Sequence, residues 1–260
     1  MEFRLRKIAL PLYVGIFCIF LYLPIMILMI YSFNRGGFPA QWQGLSFCWY
    51  YDLFHSVEIW RAFQNSICVA LSAAFLSVTF GLMLVYGSKR LKTNISYFFY
   101  SNILVPDIVI AVGMLSLFSY FMVPLGLITL IIGHTLLGLG FTVPILKSRL
   151  DELDYRLVEA SLDLGASTFY TFRYVVLPFL YPAILVSTLL VIIVSFDDFV
   201  ISFFCAGSSA QTLSLYVFTM IRSGISPTVN ALSTIMLLVS SFFILAISLL
   251  QARLAVRDGK

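Results

Sequence analysis

Three carboxylates stand where a chain this apolar should carry none. Asp107 is the only charged side chain between Lys92 and Lys147, and Asp197 with Asp198 are the only ones between Arg173 and Arg222. A charge at the membrane centre costs on the order of 2.5–3.5 kcal/mol on insertion scales, so such residues face a cavity or a partner. No Lys or Arg is expected at their depth, and three uncompensated carboxylates suit a route for cations better than one for anions or sugars. The neighbouring Phe196, Phe199, Phe203 and Phe204 suit an organic cation with a methylene chain, through cation–π and apolar contact. A plainer reading stands beside this one. Pro106 frees a backbone carbonyl that Asp107 would satisfy, and Asp197 and Asp198 would make interhelical hydrogen bonds. Adjacent helical residues point about 100° apart, so one of the pair faces a route squarely, and Asp198 is the preferred member.

Other chemistry is not indicated. No glycine-rich loop ending in Lys-Ser/Thr occurs, so the chain does not handle ATP by that device. His55 falls in a loop, and His134, in an apolar stretch, reads as an interhelical hydrogen-bonder. The four cysteines have no metal-ligand spacing. Cys18 and Cys68 read as packing residues, and Cys48 and Cys205 are left unpaired. No metal site or cofactor is expected.

The elements that must position the aspartates follow from composition. The 260 residues are 61% hydrophobic and 11% charged, with a mean hydropathy of +1.01. Such a chain is a polytopic, all-α membrane protein in contact with the lipid bilayer. A span needs about 20 apolar residues. The first two spans are placed at about 8–33 and 62–87. The uncharged stretch 108–146 is nearly twice the membrane thickness as one helix, so it folds back at Pro124 and Gly126. Spans three and four then cover about 97–121 and 127–146, span five 182–205 and span six 231–251. The chain reads as one transmembrane domain, 1–260. Asp107 would lie about eleven residues, or roughly 16 Å, into span three, and Asp197 about 22 Å along span five. Gly207, Ser208, Ser209 and Gln211 read as a loop with short helical pieces.

Charge orients the layout. With the N-terminus cytoplasmic, thirteen of the sixteen Lys and Arg residues fall inside, at 4–7, 89–92, 147–173 and 253–260. Only Arg35, Arg61 and Arg222 fall outside, so both termini are expected to be cytoplasmic. The net charge of +4 is segregated by side and does not imply nucleic acid. The N-terminal run imitates a signal peptide but stays uncharged from 8 to 34, the length of a retained span. All three tryptophans, Trp42, Trp49 and Trp60, lie in the first outer loop and read as an interfacial belt.

One stretch, 147–181, is long and charged, and it lies between spans four and five. Asp154 is placed to cap a short helix and Gly165 to end it at positive φ. Ser167 caps a second helix, which is expected not to pass far beyond Pro178. Leu157, Ala160, Ser161 and Leu164 fall at i, i+3, i+4 and i+7, a face of mostly small residues that this loop has too few residues to bury. Glu159-Ala160-Ser161, then Gly165-Ala166 and Leu177-Pro178 resemble the Glu-Ala-Ala…Gly signature of importer permeases in the ATP-binding cassette family, with Ser161 in place of the third small residue. The resemblance implies that this loop is a coupling helix that docks on a separate ATPase.

A closer resemblance covers essentially the whole chain. Val105-Pro106-Asp107-Ile108-Val109, Asp163-Leu-Gly-Ala-Ser167, Ser195-Phe-Asp197-Asp198, Gly224-Ile-Ser-Pro227-Thr-Val-Asn230-Ala231-Leu, Trp42-Gln-Gly44 and Trp49-Tyr50 are similar to the spermidine/putrescine importer permeases. The resemblance implies six spans with the coupling loop between the fourth and fifth, in the bacterial cytoplasmic membrane. It further implies a substrate-binding protein outside, a second related permease subunit and two ATPase subunits, which bind the ATP. The rival reading is a proton-coupled secondary transporter of an organic cation, in which Asp107 or Asp198 titrates; such a carrier needs no ATPase dock.

Overall fold

The computed structural model describes residues 2–36, 41–91, 93, 98–99, 104–223 and 227–258. Among them the chain is helical, without strands; an isolated bridge pairs Asn34 with Leu45. Among the described residues, five helices are long and apolar enough to cross a membrane. These belong to α1 (Glu2–Tyr31), α3 (Val57–Arg90), α5 (Leu127–Asp151), α8 (Leu177–Asp197) and α11 (Pro227–Asp258). The shorter elements are α2 (Cys48–His55), α4 (Asp107–Tyr120), α6 (Arg156–Asp163), α7 (Thr168–Thr171), α9 (Val200–Cys205) and α10 (Leu213–Ser223). The chain divides into two compact units, Met1–Ile59 with Val217–Val239, and Trp60–Tyr216 with Ser240–Lys260.

In the first unit, the span Pro11–Tyr31 of α1 is apolar on every side and has no buried residue, as a lipid-facing helix does. The loop after it is folded around Asn34. The Asn34 amide donates to the Gln41 carbonyl and its Oδ1 accepts from the Gln43 N–H at 2.8 Å. Trp49 Nε1 donates to the Asn34 carbonyl at 2.8 Å, and Tyr50 Oη meets Ser32 Oγ at 2.7 Å. Trp49 is therefore an internal brace of this loop, whereas Trp42 is exposed.

The second unit holds the core. One apolar cluster joins Val69 of α3, Ala111 and Phe118 of α4, Leu130 and Leu137 of α5 and Ile201 of α9. A second, nearer the charged loop, joins Val85, Val143, Leu146, Val158, Val176 and Leu180. With little hydrophobic drive between helices in lipid, close approach of backbones carries the packing. Gly138 supplies it. A Cβ there would stand 2.4 Å from Ser77 Oγ and 2.8 Å from Val191 Cγ1, so α3, α5 and α8 meet at one point that only glycine permits.

Helix boundaries depart from the sequence reading in three places. Part of the expected third span (97 and 100–103) lies outside the described residues, and α4 begins only at Asp107. Proline disfavours helix in the residue before it, so Pro106 opens α4 as its N-cap and does not kink a longer helix. Asp107 is thus the first residue of a helix and not eleven residues into one. Second, the helix capped by Ser167 does not stop near Pro178. It passes through a π-helical turn, Phe172–Val176, straight into α8. The widened turn puts Pro178 at the second position of α8, where an N–H is dispensable. Third, α8 breaks at Asp198 (φ −66°, ψ 125°) and resumes as α9, with no proline or glycine from 183 to 206 to announce it.

The hairpin between α4 and α5 and the loop after α9 fall where glycine and proline placed them. Gly207 has φ +63° and its missing Cβ leaves room for the Leu125 carbonyl. All four cysteines are free, Cys205 buried in the core and Cys18 and Cys68 exposed. The last two therefore do not pack within the chain.

Candidate functional site

Two regions carry the residues singled out above. The first is the turn between α5 and α8. Arg156 N–H donates to Asp154 Oδ1 at 3.0 Å, which orients the start of α6. Gly165 ends it at φ +86°, and Ser167 Oγ accepts from the Tyr170 N–H at 3.2 Å to cap α7. The short α6 is anchored by Val158, which is buried, and by a 2.9 Å hydrogen bond between Ser161 Oγ and Thr171 Oγ1. Its other side is open. Leu157, Ala160 and Leu164 face outward, and with Ser161, Gly165 and Tyr170 they line a concave groove of about 640 Å³. Leu164 is 89% exposed, which a lone soluble helix would not sustain. Glu159 is exposed beside the groove, Ala166 lines it, and Leu177 and Pro178 begin the membrane helix α8.

The groove stands on a charged base. Lys89, in the last turn of α3, donates to the Leu150 carbonyl at 3.0 Å and lies 3.4 Å from Asp151 Oδ1. Lys147 holds the other oxygen of Asp151 at 2.9 Å. The Lys89 ammonium also lies 5.8 Å from the centre of the Tyr155 ring, one residue before α6. A cation at the carbonyl end of α5 opposes the helix dipole there.

The second region is the end of α8. Asp197 and Asp198 are adjacent but do opposite things. Asp197 is exposed, and Ser240 Oγ of α11 lies 3.2 and 3.4 Å from its two oxygens. Asp198 turns inward, its side chain 6% exposed, and its Oδ2 accepts from the Ser202 N–H at 3.0 Å. That makes Asp198 the cap of α9. The same oxygen is 3.6 Å from Nε2 of the fully buried His134, whose Nδ1 meets Ser195 Oγ at 2.8 Å. At the break, ψ 125°, Asp198, the member preferred above, lies in the helix packing and Asp197 is left outside. Asp107 is exposed at the start of α4, which packs on α9, and it lies within electrostatic reach of Asp198. Neither Asp107 nor Asp197 has an ion-pair partner among the described residues. Of the phenylalanines nearby, Phe203 is 45% exposed, whereas Phe199 and Phe204 pack on the core. No group of three or more metal-ligating side chains occurs among the described residues.

His134 is the interhelical hydrogen-bonder that its place in an apolar stretch implied, but its partners could not be read from sequence. A lone membrane histidine carries no pattern, and its partners Ser195, Asp198 and Ser202 are more than sixty residues away.

The chain is thus a helical membrane protein with an open, short helix between α5 and α8. The chain belongs to the family of binding-protein-dependent transport system inner membrane components, which matches residues 66–257. It is an importer permease of the ATP-binding cassette class and an integral inner-membrane protein. It is 35% identical over 235 residues to the spermidine/putrescine transport system permease protein PotC of Escherichia coli K12, covering 89% of each chain. It is 33% identical over 229 residues to the putrescine transport system permease protein PotI of the same organism, covering 84% of this chain and 82% of that one. Among solved structures, a bacterial transporter for import of the acidic polysaccharide alginate shares the fold with a TM-score of 0.75 at 15% identity, covering 94% of this chain and 96% of that one. Family membership does not favour the proton-coupled carrier.

Proposed function

We propose that this permease conducts polyamines such as spermidine and putrescine inward, with Asp107 and Asp197 as successive stations. The observation that carries the substrate class is the exposure of these two carboxylates, without an ion-pair partner among the described residues, in a chain 35% identical to a spermidine/putrescine permease. An ammonium at each end of a methylene chain matches two separated carboxylates, and the exposed Phe203 ring adds an apolar and π surface between charges. The groove on α6 is the dock for an ATPase subunit, so the groove residues Ala160, Ser161, Gly165 and Ala166, with Glu159 at its rim, transmit nucleotide-driven closure to α8 through Leu177 and Pro178. Two ATPase subunits, a second related permease and an extracytoplasmic binding protein complete the complex. ATP is bound by the partners alone.

The reading carries six spans, α4 with the segment before it serving as the third, and both termini in the cytoplasm. Single cysteines at Thr93 and Ser209, on a cysteine-free background, should therefore react oppositely with an impermeant maleimide; labelling of Thr93→Cys from outside would overturn this arrangement. The function itself is tested by labelled spermidine uptake into proteoliposomes holding the whole complex. Uptake should require ATP on the ATPase side and survive an uncoupler. Uptake without ATP that an uncoupler stops would remove the importer reading.

A further inference from the structure

The joint between α8 and α9 is held at both ends from one helix, α5. At its far end Thr129 Oγ1 donates to the Cys205 carbonyl at 2.8 Å. At its near end His134 meets Ser195 of α8 through Nδ1 and Asp198 and Ser202 through Nε2, at 2.8, 3.6 and 3.4 Å. A third tie comes from Ser214, whose Oγ donates to the Asp198 carbonyl at 2.5 Å. Between the two α5 anchors α9 lies flat on its neighbour: a Cβ at Gly133 would stand 2.6 Å from Ile201 Cγ2. A neutral imidazole has one donor and one acceptor nitrogen. With the Asp198 carboxylate on that side, Nε2 carries the N–H and directs it at Ser202 Oγ, which leaves Nδ1 to accept the Ser195 hydroxyl proton. One ring thus ties the last turn of α8 to the first of α9.

We infer that His134 is a positioning residue for cation passage: by tying Ser195 of α8 to Ser202 of α9 it holds the break at Asp198 and sets Asp197 alone toward the route. In an unbroken helix the two aspartates would sit about 100° apart on the same turn, and helix rotation alone would decide which faced the route. The broken joint separates their duties, one carboxylate as a cap and one as a station. This rests on Asp197 being a station, and the test keeps the two claims apart.

The assembled complex in proteoliposomes is assayed for kcat/KM with spermidine, which carries three charges, and putrescine, which carries two. His134→Leu fills the same space without hydrogen bonds. It should lower the spermidine-to-putrescine ratio about fivefold, as Asp197→Asn does, because a misplaced station costs the more highly charged cargo more. His134→Gln places an amide near the Nε2 position and should keep the ratio within about twofold of the parent. His134→Asn places it near Nδ1 and should not. If the leucine variant fails to assemble, the glutamine and asparagine pair decides the matter. An unchanged ratio in His134→Leu, or equal losses for both cargoes, would reduce His134 to packing and overturn the inference; so would matching ratios for Gln and Asn. Unchanged uptake of both polyamines by Asp197→Asn would instead overturn the station on which it rests.

Discussion

Spermidine uptake by the Asp107→Asn/Asp197→Asn double variant should fall at least a hundredfold below the parent, with complex assembly and capture by the external binding protein intact. The substitution keeps shape and some hydrogen bonding and removes only charge. Both side chains are exposed, so neither is needed for packing, and Asn at 197 still accepts from Ser240. Two unit charges about 4 Å apart attract by roughly 1 kcal/mol in water and about 4 kcal/mol at the dielectric typical near a protein surface. A loss of about 1.4 kcal/mol at each station is tenfold, and two separated stations combine nearly additively. Larger stabilisation is not expected, because a station that holds its ion too tightly does not release it. Asp198→Asn should behave differently. The amide oxygen still accepts from the Ser202 N–H, so the cap of α9 survives and uptake should drop less than tenfold. Full transport by the double variant would end the cation-station reading; a larger loss in Asp198→Asn than in Asp197→Asn would reverse the assignment within the pair.

How far these residues could be read from sequence depended on whether a local rule governed them. Gly165 and Ser167 were legible because a positive φ and a hydroxyl cap are set within four residues. The hairpin at 121–126 was legible because 39 uncharged residues, 108–146, exceed one crossing. Pro106 was legible but misjudged: beside an Asp and an apolar run it marks a helix start as readily as a kink, and the start is what forms. The passage through Pro178 was hidden because a π turn renumbers which N–H groups are needed. The break at Asp198 had no local sign at all. Its neighbours there, His134 on Ser202 and Ser214 on the Asp198 carbonyl, arrive from elsewhere in the chain. The orientation of the Asp197–Asp198 pair depends on tertiary contacts, which helical periodicity does not fix. The exposed face of α6 was the reverse case: four small or apolar positions at helical spacing implied a partner, and the chain leaves that face uncovered.

That uncovered face yields the other large effect. Ala160→Asp should cut recovery of the ATPase with the purified permease by more than a hundredfold and reduce uptake to background, while the permease inserts in normal yield. Ala160 is exposed and lines the groove between Leu157 and Leu164, so a carboxylate there is solvated in the free subunit and costs the fold little. In a docked complex it would be desolvated without a partner, a penalty of several kcal/mol. Glu159 and Asp163 already outnumber Arg156, the one cation on this helix, so a third carboxylate leaves it more acidic still. Gly165→Asp would confound two effects, since φ +86° strains any L side chain, and Ala160 is the cleaner position. Leu164→Ala should weaken the dock by a smaller factor, through lost apolar burial of about 25 cal/mol per Å². Val158→Ala provides the control: it sits on the buried side of α6 and should lower the thermal stability of the permease while ATPase recovery per folded molecule stays near the parent value. Undiminished ATPase recovery with Ala160→Asp, at normal uptake, would remove the docking role from α6.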